Sequence, residues 1–235
     1  MSTRTIVNVA TGRYLAGQQR LLAWCMEHSE ALRYWDHIPE NWRPHELFPY
    51  AFKAYALQDA IRHGATSLLW CDSSVVPIGD LGPLWERIER EGYWLGYNGW
   101  RNDAWPGYKN GEWTRLEALP YLFPGYDDPR CVNDRIDHVM ATAFGINVLN
   151  PIGEAFFLEY LRLASETPAF CGPWTGPVGV KHRHDQTAAS VIAWRLGMKL
   201  TIPPDVIAYK EWDTVPGYAG RNESTVLLVD GSVNR

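Results

Sequence analysis

The segment Ser67-Leu68-Leu69-Trp70-Cys71 is uncharged and apolar for the length of a strand, then stops at Asp72-Ser73-Ser74. It shows no alternation, so both of its faces must be covered, as in a buried strand with helices on either side of its sheet. The flanking sequence supplies the covering elements. Leu47, Ala51, Ala54, Leu57 and Ile61 recur on one helical face, and His63-Gly64 ends that helix. A helix is expected over 81–91 and a strand over 93–97. Upstream, Thr5-Ile6-Val7-Asn8-Val9-Ala10 reads as a first strand stopped by Thr11-Gly12. A helix over 18–28 and a strand over 31–35 follow. This alternation predicts an α/β layered fold.

With 235 residues the chain suits a single domain and can bury a sizeable core. Its net charge of −5 argues against general nucleic-acid binding. No apolar run reaches the roughly 18–20 residues of a membrane span, and no apolar stretch follows Met1-Ser2-Thr3-Arg4-Thr5. A chain without membrane insertion, located in the cytoplasm, is therefore expected. Cys25, Cys71, Cys131 and Cys171 form no CxxC pair and read as buried free thiols. The chain holds 12 Trp and 12 Tyr, whose flat faces and polar edges suit sugars and bases.

Residues 98–130 break the pattern with Gly, Pro, Asn, Trp and Asp and only a short helical hint at 112–118. A loop of this length in a compact domain is usually functional. Its aromatics Trp100, Trp105, Tyr108 and Trp113 lie among Asn98, Asn102 and Asp103, either as an acceptor platform or as self-packing of the loop. A strand is expected over 139–149. Phe157, Tyr160, Leu161 and Ala164 then mark a helix, and Ala188, Val191, Ile192 and Leu196 mark another. Between those helices, a Gly/Pro segment at 172–179 reads as a lid or as a passive connection. The tail from Thr214 has little pattern and is expected on the surface.

Two clusters can carry chemistry. Asp72 follows a buried strand, where α/β sheets bind ligands, and Ser74 two residues on can face the same cation. By itself Asp72 also reads as a turn-starting residue. In His182-Arg183-His184-Asp185-Gln186 the spacing departs from the HxHxDH pattern of metallo-hydrolases, and Asp185 suits a helix N-cap. Lys53, Arg13, Lys181 and Arg183 are the cations available to a diphosphate.

The order of these segments resembles GT-A fold glycosyltransferases. The resemblance rests on Val7-Asn8-Val9-Ala10-Thr11-Gly12-Arg13-Tyr14, on Leu68-Leu69-Trp70-Cys71-Asp72-Ser73-Ser74 with Val75-Val76 and Pro77-Ile78-Gly79-Asp80-Leu81 behind it, and on His184-Asp185-Gln186. It implies a GT-A-like, Rossmann-like mixed sheet flanked by helices, in one domain over 1–235. A nucleotide-binding half at 5–97, an acceptor and sugar half at 98–210 and a tail at 211–235 follow from it. It implies transfer of a hexosyl or pentosyl group from a nucleotide-diphosphate sugar, UDP-linked, to a hydroxyl acceptor. The base would lie on Val9, Ala10, Thr11 and Tyr14. Lys53, Asp72, Ser73, Ser74, His182 and His184 would surround the diphosphate. Mn²⁺ or Mg²⁺ would be held by Asp72, Ser74 and His184. Asp185, Gln186 and Asp72 would be the catalytic set, with retention of configuration. An inverting enzyme would instead take its base from Asp103, Asp134, Asp137 or Asp185. The chain departs from the family's DxD motif, since Ser74 stands where a second carboxylate is expected. That departure keeps two alternatives in view: an inactive nucleotide- or glycan-binding relative, and a metal-independent transferase. The expected acceptor is a glycan or small molecule, with modified DNA bases as a further alternative.

Overall fold

The first apolar segment forms β1 (Arg4–Val9), and α1 (Leu15–His28) leads from it to β2 (Leu32–Trp35). This description rests on a computed structural model and covers residues 3–99, 108–211, 221–230 and 232. α2 (Phe52–Arg62) precedes β3 (Ser67–Cys71), every residue of which is buried. Then come β4 (Val75–Pro77), α3 (Gly82–Glu91), β5 (Tyr93–Tyr97) and the short helices α4 (Leu119–Leu122) and α5 (Pro129–Asn133). β6 (Val139–Asn147), α6 (Pro151–Glu166), α7 (His184–Arg195), β7 (Ile207–Tyr209) and β8 (Leu227–Val229) complete the chain.

Five strands form one mixed sheet in the order β2-β1-β3-β6-β5. β1 runs parallel to β2 and β3, whereas β6 runs antiparallel to β3 and β5. The predicted buried strand is thus the central one. Its side chains alternate between two cores, as the pleat requires. Leu68 and Trp70 enter the core shared with α2, α6 and α7. Leu69 and Cys71 enter the core shared with α1 and α3.

Several readings differ from the sequence expectation. α2 starts at Phe52, so Leu47 is not on it but lies in a turn, exposed. Pro44 and Pro49 bracket that turn, and a residue before proline is driven out of the helical region. The 112–118 hint resolves into 3-10 turns at Asn110–Trp113 and Leu116–Ala118. Cys131 is exposed and Cys171 half-buried, whereas Cys25 and Cys71 are buried. The tail is also no mere surface wrap. Its β8 pairs antiparallel with β4 and parallel with β7 in a second sheet. Thr214 itself falls outside the described residues.

Behind the end of β3, buried Asn8 donates to the Cys71 carbonyl at 2.7 Å and to Ser73 Oγ at 3.3 Å. Gln18 of α1 donates in turn to Asn8 Oδ1 and to the Trp35 carbonyl, both at 2.8 Å. These polar contacts inside an apolar core fix the turn at 72–74 relative to β1, β2 and α1.

Candidate functional site

Asp72 leaves β3 with its amide still donating to the Thr142 carbonyl of β6 at 2.8 Å. Its Oδ1 accepts the Trp70 indole N–H at 2.7 Å and lies 2.9 Å from Lys53 Nζ. Lys53 sits in the first turn of α2 and is 1% exposed. Its ammonium also reaches Asp185 Oδ2 at 2.7 Å and the Ala141 carbonyl at 2.7 Å. An ammonium has three protons, and three oxygens take them. Burial works against this charge, but Asp185 and Asp72 outweigh burial and raise the Lys53 pKa above its ordinary value. Burial, helped by the Asp185 charge, raises the Asp72 pKa against the opposing pull of Lys53. One cation is thus shared by two carboxylates, brought from the end of β3 and the first turn of α7. Among the described residues, Asp72 Oδ2 and Asp185 Oδ1 have no hydrogen-bond or ion-pair partner and are left for a ligand.

Two cavities meet over this triad. The first, about 460 Å³, is walled by the β1 end and following turn (Val9, Ala10, Thr11, Arg13, Tyr14), by Ile38, His45 and Phe52, and by Asp72, Ser73 and Ser74. The second, about 370 Å³, includes Lys53, Asn98, Tyr108, Trp113, Thr142, Trp174, Arg183, Asp185, Gln186, Tyr209, Glu211 and Val229. Tyr50, Asp72 and Ser74 line both. Tyr50 adopts a left-handed backbone with φ of 65°, which costs a residue bearing a Cβ about 1–2 kcal/mol. Its amide donates to His45 Nδ1 at 3.2 Å, and its ring lies 5.3 Å from Lys53 Nζ. Gln186 Oε1 and Trp113 Nε1 are buried and, among the described residues, have no hydrogen-bond partner. Such atoms are costly unless a ligand satisfies them.

Val9, Ala10, Thr11, Arg13, Tyr14 and Ser73 therefore gather in the first cavity, and Lys53, Arg183, Asp185 and Gln186 in the second. Asp72 and Ser74 stand at the junction. His182 and His184 line neither cavity. His182 Nε2 bonds the Ala169 carbonyl at 2.6 Å, and burial pushes its pKa down to about 3. His184 Nε2 bonds the Gly172 carbonyl at 2.9 Å. Lys181 lies over the Trp113 ring, outside both cavities. Asp137 pairs with Lys109 at 2.6 Å and opens onto a separate hollow beside Trp194, and Asp134 is exposed. Trp100, Asn102, Asp103 and Trp105 fall outside the described residues. The sequence reading missed Ile38, His45, Tyr50, Phe52, Thr142, Tyr209, Glu211 and Val229. None of them belongs to a motif, and only the fold brings them to the cavities.

Among the described residues, no three His, Cys, Asp or Glu side chains converge as a metal cage. At the junction the chain offers one carboxylate oxygen of Asp72 and the neutral Ser74. That set fits Mg²⁺ or Mn²⁺ only as a shared ion, since these cations take one or two carboxylates and fill the remaining positions with phosphate oxygens and water. His184, expected as a third ligand, does not reach this point.

No family model matches the chain, and no curated protein matches it. Solved structures do. A glycosyltransferase involved in glycosylation of the major capsid of PBCV-1 aligns with a TM-score of 0.55 at 12% identity, over 97% of this chain and 93% of that one. Mouse xyloside xylosyltransferase 1, apo form, aligns with a TM-score of 0.50 at 8% identity, over 99% of both chains. The chain has the GT-A-like glycosyltransferase fold.

Proposed function

We propose that this chain is a glycosyltransferase that moves a sugar from a nucleoside-diphosphate donor, UDP-linked, to a hydroxyl acceptor. The reading is carried by the Asp72–Lys53–Asp185 triad at the meeting of two cavities, one lined by the β1 end and its turn and one lined with unsatisfied polar atoms. The base lies against Val9, Ala10, Thr11 and Tyr14, and the diphosphate over Asp72, Ser73 and Ser74. The sugar points toward Asp185 Oδ1 and Gln186 Oε1, which accept its hydroxyl protons. Lys53 holds both carboxylates in place through its ammonium. A divalent cation held by Asp72 and Ser74 together with the diphosphate would supply positive charge to the leaving group.

In the transfer, the bond between the anomeric carbon and the β-phosphate oxygen breaks, and the electron pair stays on that oxygen. The acceptor oxygen bonds the same carbon, and its proton passes to the released diphosphate. Asp72 and Asp185 are both engaged by the Lys53 ammonium, and the Asp185-Gln186 pair resembles that of retaining transferases, which supports retention. Acceptors that suit the second cavity are glycan or small-molecule hydroxyls. The net charge of −5 disfavours a base in duplex DNA. The unpaired cysteines fit a reducing, cytoplasmic setting. Among the described residues no helix is long and apolar enough to cross a membrane.

Ser74 favours a second reading, a nucleotide-sugar binder without turnover. Incubation with a panel of UDP-, GDP- and ADP-sugars separates the two. Slow release of nucleoside diphosphate, reduced about 100-fold or more in Asp185→Asn, is expected of a transferase that loses a positioned electrostatic group. Binding without release supports the binder, and absence of both contradicts the donor site.

A further inference from the structure

Beside the unsatisfied atoms of Gln186 and Trp113, the second cavity holds a third, Arg183 Nε. The Arg183 guanidinium lies 3.9 Å from the Trp174 ring centre and 4.4 Å from that of Trp113. Two indoles therefore pack against the guanidinium, which leaves its N–H edge to donate hydrogen bonds. Its backbone is fixed as well, with its amide donating to the Trp113 carbonyl at 2.9 Å. Among the described residues the guanidinium forms no ion pair and no side-chain hydrogen bond. Burial lowers its pKa, with the Asp185 charge opposing.

A guanidinium stripped of part of its water, and without a counterion, is costly unless a ligand supplies the anion. The other cations near the cavities cannot serve in the same way. The Lys53 protons are all engaged, exposed Arg13 contacts the Tyr14 hydroxyl, and Lys181 faces away onto Trp113. The triad itself carries one positive and two negative charges, a surplus that repels a diphosphate.

We infer that Arg183, clamped between Trp113 and Trp174, is the cation that binds the donor's diphosphate and takes up its growing charge as it leaves. This rests on the donor reading above. Arg183 stays protonated throughout, and the planar fork of N–H groups meets phosphate oxygens two at a time. The clamp fixes that fork before the donor arrives, which lowers the ordering cost of binding.

Calorimetry with UDP, GDP, CDP and ADP tests the assignment, with the matching nucleoside as control. Arg183→Met is expected to weaken the tightest diphosphate about 10–100-fold, the range of a charge-assisted contact, and to leave the nucleoside unchanged. Arg183→Lys keeps the charge without the fork and is expected to fall between. Should Arg183→Met fail to fold, Arg183→Lys carries the test, and a diphosphate affinity equal to wild type overturns the inference. Equal affinity in a folded Arg183→Met overturns it too, while leaving the donor reading intact. If the wild-type chain binds none of the four diphosphates, both readings fall. A loss confined to donors bearing a uronic acid, with diphosphate affinity unchanged, assigns the guanidinium to a sugar carboxylate and overturns the diphosphate assignment.

Discussion

Lys53 is the residue on which the site turns. Its ammonium is buried, and replacing it with an apolar chain leaves Asp72 and Asp185 facing each other without compensation. Removing one partner of a buried ion pair costs about 3–5 kcal/mol, so Lys53→Met is expected to lose that much in urea unfolding. The double variant Lys53→Met with Asp185→Asn is expected to recover part of it. A second effect belongs to histidine. Burial holds the pKa of His138 and His182 at about 3, below the ordinary 6.5. The unfolded chain therefore takes up protons first as pH falls. The stability these neutral rings contribute is complete above pH 6.5 and is lost on descent toward 3. Urea midpoints measured across that window are expected to drop, and His182→Gln is expected to flatten the drop. Asp72 was legible as a candidate because it ends a continuous apolar run, and Asp185 because it stands at the start of a helix with a recurring apolar face. The Lys53 link between them was not, since it is a tertiary contact between a helix start, a strand end and a second helix start. His184 shows the converse, as a residue whose type suggests a metal ligand but whose Nε2 bonds the Gly172 carbonyl and which lines neither cavity.

Elements carried the clearest sequence signal where their period was long. β3, α3 and β5 are found within a residue of expectation, because apolar spacing and a glycine or aspartate stop define them. Short elements were illegible. β4, β7 and β8 have three residues each, too few to show a period, and they become strands only through their pairing. The small sheet they form bears on the site, because the Asp230 amide after β8 donates to the Ser74 carbonyl at 2.8 Å. Leu227 of β8 is fully buried in the core shared with α1 and α3. Leu227→Ala is expected to cost about 2–5 kcal/mol in urea unfolding. Loosening of the 72–74 turn should accompany it, seen as faster hydrogen exchange there.

At the scale of the whole molecule, the mixed sheet sets Asp72 at the carboxyl end of its central strand, with β1 and its turn on one side. Asp185 is delivered from α7 on the other. That placement follows the order of segments in the sequence, and the overlap with two glycosyltransferase structures shows the same fold. Of the aromatic walls, Tyr14, Tyr108 and Trp113 were candidates in the sequence, whereas Tyr50, Trp174 and Tyr209 gave no signal, because they come from separate loops and a three-residue strand. The most direct measurement is a crystal structure of the chain with a UDP-sugar and Mn²⁺. The expected result places the base against Val9–Tyr14, the diphosphate between Asp72 and Arg183, and the sugar at Asp185 and Gln186. Donor density elsewhere, or both cavities closed to the nucleotide at saturating concentration, would contradict the account.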